Sequence, residues 1–197
     1  PSSLAASWSF EERASHAPEP RNGVAALRQE DEVTVIAEVK RSSPSKGALA
    51  DMHPQHLGAT VLKALSERND INTADVDDII WGTSTQTGKQ GRDLGRMAAL
   101  DAGYDVRASG VTIDRFCGSG ITSVNLAAAT IMSGMSDLMI AGGTEMMSYT
   151  AASADPKAPP FIDAGNLRLR ARHPQSHQGV CADAIATLEG ISREDLD

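Results

Sequence analysis

Residues 111–148, VTIDRFCGSGITSVNLAAATIMSGMSDLMIAGGTEMMS, constrain the fold more tightly than any other stretch of the chain. The β-branched run 111–114 predicts a strand, and 138–141, LMIA, predicts a second. Between them Val124, Ala127, Ala128, Ile131 and Met135 recur at helical spacing, with Gly120 and Gly134 bracketing the pattern. A connection of about 23 residues that carries a helix is far too long for a hairpin, so the strands are expected to run parallel in a right-handed βαβ unit. Cys117 then falls at the turn from strand into helix.

A thiol at a helix N-terminus faces free backbone N–H groups and the positive end of the helix dipole, which favour thiolate over thiol. Gly118 and Gly120 leave room for a carbonyl to approach the backbone, and N–H groups of such a turn are candidate oxyanion donors. Most cysteines, however, are small buried hydrophobes without reactivity. On position alone, both readings of Cys117 stand.

The 197 residues suffice for one sizeable core or two small ones, and 41% apolar with 4% aromatic composition fits a soluble α/β protein. A net charge of −8 argues against nucleic acid as a partner, because phosphate contacts need a basic face. Two cysteines cannot build a disulfide framework and fit a reducing cytoplasm, and no apolar run has the length of a signal sequence core or a membrane span. No internal repeat is present.

Taken in order, residues 1–30 read as polar surface structure with a short helix over 23–29. The run 33–39, VTVIAEV, predicts a strand buried on both faces. It ends in Glu38, Lys40 and Arg41, and charges at the carboxyl end of a parallel strand are frequently functional; the alternative is an exposed strand end. Pro54 suits the first turn of a helix whose apolar face is Leu57, Val61 and Leu65 and which ends near Asn69. Thr73 is expected to cap a short turn, 79–81 to form a strand, and Leu94, Met97, Ala98 and Leu100 to line a helix stopped by Gly103. The segment GTSTQTGKQG, 82–91, is not a phosphate loop, because Thr83 stands where the first glycine belongs and Gln90 follows the lysine in place of Ser or Thr. After Ser148 the composition turns to Pro, Ala, Asp and Arg without periodicity, a loop excursion. His173, His177 and Cys181 have a spacing that suggests zinc, but Pro174 and Gly179 break the helix that would align them and no fourth ligand follows; no metal is expected.

DRFCGSGITSVNLAAATIMSG followed by LMIAGGTEMMS closely resembles the N-terminal half of the thiolases, the acetyl-CoA acetyltransferase family. The resemblance extends from about residue 47 through LGATVLKALSER and DDIIWG to the end of the chain, at 197. It implies an α/β fold of βαβ units with a mixed sheet covered by helices, incomplete in this chain. It also implies that Cys117 is the acyl-accepting nucleophile, that Gly118 and Ser119 lie against substrate, and that His177, in a segment resembling the family's His-Met-Gly stretch, lies along the pantetheine arm of coenzyme A. Gln178 departs from the usual Met. Arg92 and Asp93 stand where the family usually has a Gln-Asn pair supporting the site. Arg168, Arg170 and Arg172 are candidates for coenzyme A phosphates, against the reading that they are only solvated.

FEERASHAPEPRNGVAALRQEDEVTVIAEVKRSSPSKGALA, with the motif AEVKRSSPSKG, resembles the N-terminal part of indole-3-glycerol phosphate synthase over about residues 8–50. That resemblance implies active-site roles for Glu38 and Lys40, with Ser43 and Pro44 beside the substrate, in a (β/α)₈ barrel that needs about 250 residues. The chain therefore reads as a chimera: a synthase-like segment 1–46 that donates one strand, a thiolase-like core 47–150, and the start of the thiolase lid region 151–197.

The implied reaction is acyl transfer through a thioester on Cys117. No cofactor is needed beyond the coenzyme A thioester that is the substrate. Acid–base groups that the family carries in its C-terminal half are not in this sequence, so the chain is expected not to turn over alone and to need that half, or to form homo-oligomers. Two further readings stand beside it, a synthase-type lyase and a non-catalytic α/β fragment that self-associates through an uncovered apolar face.

Overall fold

The computed structural model describes residues 34–41 (backbone only), 49, 51–154, 157 and 162–196. Two compact units divide at Tyr149 and Thr150. The first is built on a four-stranded sheet of order β1-β4-β2-β3, with β1 Thr34–Arg41, β2 Asp78–Gly82, β3 Val111–Ile113 and β4 Met139–Met146. All pairings are parallel, with Ile36 opposite Ala141, Ile80 opposite Ala141 and Trp81 opposite Thr112. The sheet expected to be mixed is thus parallel throughout the described strands. The reason is in the connections: between β1 and β2 lies α1 (Pro54–Asn69), between β2 and β3 lies α2 (Leu94–Asp101), and between β3 and β4 lies α3 (Ser119–Met132), each a crossover rather than a hairpin.

Alternation along the strands divides the core between two helical layers. Ile79, Trp81 and Ile140 point to one face, where they meet Leu62 of α1 and Leu94 and Ala98 of α2. Ile80, Met139 and Ala141 point to the other and meet Ala127 and Ile131 of α3. A sheet covered on both sides must be apolar on both sides, and all eight residues of β4 are buried.

Several boundaries differ from expectation. β4 was expected to stop at Ala141 but runs on through Gly-Gly-Thr-Glu-Met, because a Cβ on Gly143 would stand 2.6 Å from the carbonyl oxygen of Gly82. The glycines let adjacent strands close rather than ending one. α3 ends at Met132, with Gly134 left-handed at φ 73, so Met135 lies beyond the helix and is exposed instead of belonging to its apolar face. In α1 the deepest residue is Leu62, fully buried, while Val61 and Leu65 are half-buried, so the buried stripe is rotated from the expected one. Leu100 is exposed and Ala99 takes its place inward. The turn Thr73–Asp75 is capped by Asn72, whose side chain accepts from the Ala74 N–H, and not by Thr73. The helix expected over 23–29 lies outside the described residues. No helix among the described residues is long and apolar enough to cross a membrane.

Candidate functional site

β3 ends at Ile113, and residues 114–118 carry the chain into α3. The turn is tightly bonded. Gly118 N–H donates to Arg115 O at 3.0 Å and Ser119 N–H to Phe116 O at 3.1 Å. The Ser119 hydroxyl donates to Phe116 O at 2.6 Å and accepts from Arg115 N–H at 2.9 Å, while Phe116 N–H donates to Asp114 Oδ1 at 2.7 Å. Within this closed loop Cys117 is exposed, at the point expected from the sequence.

Ser119 is buried and both of its hydroxyl bonds go to the turn itself, so it braces the loop. The N–H groups of Gly118 and Ser119 are donated to turn carbonyls. Gly118 is half-buried, and a Cβ there would approach nothing closer than 3.4 Å.

The turn rests on the sheet through glycine. A Cβ on Gly82 would lie 2.8 Å from the carbonyl carbon and oxygen of Ser119, so only glycine lets the start of α3 sit this close to the end of β2. Thr83 N–H donates to Ile113 O at 3.0 Å, and the Ser123 hydroxyl donates to Gly142 O at 3.0 Å. The start of α3 is therefore seated against the carboxyl end of β2, which is itself bonded to the end of β3, and is tied to Gly142 in the middle of β4, close to the rim at which parallel sheets bind ligands.

The same rim holds a buried carboxylate. Glu145 Oε2 accepts from the Thr83 hydroxyl at 2.9 Å and from the Ser84 N–H and hydroxyl at 2.7 and 2.9 Å, and Oε1 accepts from Gln90 Nε2 at 3.2 Å. Burial pushes its carboxyl up, but these donors outweigh burial and hold it below the usual glutamate range. Gln90, fully buried, also accepts from Met146 N–H at 2.7 Å, tying the 82–91 loop to the end of β4. Sequence reading passed over Glu145 and Gln90. The signal that singled out Glu38 and Lys40, charge at the end of a parallel strand, applies equally to Glu145.

Arg92 and Asp93 both have left-handed backbone, at φ 60 and 57. Asp93 caps α2 by accepting from Arg96 N–H at 3.2 Å and binds the Thr112 hydroxyl at 2.9 Å, so it joins α2 to β3. Glu38 and Lys40 fall in β1 opposite Gly143 and Glu145 of β4, but their side chains, like Ser43 and Pro44, lie outside the described residues.

The division between the units falls within α4 (Met147–Ser153), and His177 belongs to the second unit, which goes on to α5 (Leu167–Arg172), α6 (Gln178–Glu189) and α7 (Arg193–Leu196). Its exposed ring caps α6, with Nδ1 accepting from Gly179 N–H at 3.2 Å. Arg170, one of the three arginines considered for phosphate, instead grips the buried Asp163 with two bonds of 2.6 and 2.7 Å. That guanidinium holds the Asp163 carboxyl below its usual range.

Comparison with known proteins bears on these features. The family described as "Thiolase, N-terminal domain" matches residues 33–197, a span that takes in β1 as well as the cysteine turn. A 3-ketoacyl-CoA thiolase of Psychrobacter cryohalolentis is 34% identical over 171 residues, covering 83% of this chain and 41% of that protein. The steroid 3-ketoacyl-CoA thiolase FadA6 of Mycobacterium tuberculosis is 43% identical over 108 residues, 55% of this chain and 26% of its own. Among solved structures, the Bacillus anthracis acetyl-CoA acetyltransferase aligns with TM-score 0.49 at 36% identity, over 52% of this chain and 26% of that one. The chain spans about two fifths of the length of the first of these relatives.

Proposed function

From the premise that this chain belongs to the thiolase family through its N-terminal domain, we propose that it accepts an acyl group from an acyl-CoA onto Cys117. Sγ of Cys117 attacks the thioester carbonyl, the carbonyl carbon's bond to the coenzyme A sulfur breaks, and coenzyme A leaves as its thiol with the proton given up by Cys117. The observation that carries this reading is the exposed Cys117 in a hydrogen-bonded turn at the head of α3, inside the matched range. Coenzyme A serves as substrate, and His177 is the residue we assign to its pantetheine arm. Completion of the cycle needs a base and a second acid–base group that these 197 residues do not supply. We assign those groups to a thiolase C-terminal half, or to further copies in a homo-oligomer, acting in the cytoplasm.

Domain limits of 1–46, 47–150 and 151–197, and the descent of the first segment from an indole-3-glycerol phosphate synthase, remain part of the proposal. The motif AEVKRSSPSKG supports that descent, although the thiolase match already begins at residue 33. Nucleotide sequence on both sides of the coding region tests it. A second reading, a non-catalytic fragment that self-associates, is favoured by the exposed Ile121, Leu126 and Met132 of α3.

Limiting iodoacetamide at neutral pH separates these readings. The acyl-accepting account expects Cys117 to be alkylated before Cys181, and prior acetyl-CoA to protect Cys117 alone. Faster alkylation of Cys181, or no protection, would overturn it.

A further inference from the structure

We propose that Ser119 is a positioning residue that holds Phe116 in a left-handed conformation and so fixes the direction in which Cys117 presents Sγ. The inference rests on Cys117 being the nucleophile. Phe116 has φ 48, a conformation that a bulky L-residue adopts only when its surroundings impose it. Packing does not impose it, since Phe116 is 60% exposed. What remains is hydrogen bonding: Phe116 N–H to Asp114 Oδ1, and Phe116 O from both the N–H and the hydroxyl of Ser119.

The Ser119 hydroxyl also takes the Arg115 N–H, so it ties residues 115 and 116 to 119 and closes the loop that contains Cys117. Ser119 itself cannot follow a relaxing turn, because its backbone is seated against Gly82. Phe116 is therefore the part free to change. Without the hydroxyl it rotates toward negative φ and carries the next residue, Cys117, with it. A glycine at 116 would adopt the left-handed conformation without that cost, which makes the hydroxyl dispensable.

The test uses the full chain and one reaction tube, with alkylation by iodoacetamide followed at Cys117 and, as an internal clock in the other unit, at Cys181. Ser119→Ala is expected to lower the Cys117 to Cys181 rate ratio by about tenfold, the size of change that releasing one strained residue produces. Adding Phe116→Gly to Ser119→Ala is expected to return the ratio to that of Phe116→Gly alone, a recovery that loss of general stability would not give. An unchanged or raised ratio in Ser119→Ala, or a loss that Phe116→Gly does not restore, overturns the proposal. If Ser119→Ala does not fold, Ser119→Cys, which keeps the side chain's shape but is a weaker donor and acceptor, carries the same expectations. A wild-type ratio below unity would refute Cys117 as the favoured nucleophile, while the ratios among variants would still decide the role of Ser119.

Discussion

Glu145 is a buried carboxylate whose donors among the described residues are all neutral, and its pH response follows from them. Its folded carboxyl is held below the ordinary value of about 4.3, so the native state keeps it ionised at pH values where the unfolded chain begins to take up a proton. The stability it contributes is present above the ordinary value and is lost as pH falls through the lower, folded one. In Glu145→Gln the new amide group meets the amide of Gln90, whose own oxygen is committed to Met146 N–H. That mismatch should cost about 1–3 kcal/mol at neutral pH, with the gap to wild type closing in acid. Urea unfolding at neutral pH and at mildly acidic pH measures both. Gly82→Ala should cost about 1–3 kcal/mol by pushing on the Ser119 backbone, and should slow alkylation of Cys117 more than that of Cys181. Cys117 was legible in the sequence because a strand, a glycine turn and a helix bracket it. The four letters CGSG do not say which side chain turns inward, and Ser119 is the one that is buried.

At the scale of elements, α1, α2 and α3 are legible from apolar spacing, and each strand from its β-branched or apolar run. What spacing does not carry is how far a strand runs once glycine enters it. β4 continues past Gly142 and Gly143 because its neighbours need the space, a tertiary demand invisible in local propensity. The mixed sheet was expected from the family resemblance, whereas the long helical connections already implied the parallel pairing that the described strands have. The two helical layers make separate predictions. Leu62→Ala, in the α1 and α2 layer, and Ile131→Ala, in the α3 layer, should each cost about 2–5 kcal/mol in chemical unfolding. Thr144→Val strands the fully buried Trp81 indole N–H, which donates to Thr144 Oγ1 at 3.0 Å, and should cost about 1–3 kcal/mol.

Across the whole molecule, the first unit buries β4 along its entire length yet leaves Ile121, Leu126 and Met132 of α3 in solvent. In the second unit no described hydrophobic residue is buried, and Val180, Ile185 and Leu188 of α6 are exposed. Such surface is what the proposed C-terminal partner would cover, so adding a thiolase C-terminal half should sharpen thermal unfolding and allow thiolysis of acetoacetyl-CoA that is not expected of the chain alone. Indole-3-glycerol phosphate formation should not exceed that of a Lys40→Ala control, since one strand cannot surround a substrate. The central claim, that Cys117 accepts an acyl group, is tested most directly by the intact mass of the chain after incubation with acetyl-CoA, followed by peptide mapping. The account predicts one acetyl group, on Cys117, removed by hydroxylamine at neutral pH and absent from Cys117→Ala. An acetyl group located elsewhere, or an unmodified Cys117 in folded protein, would contradict it.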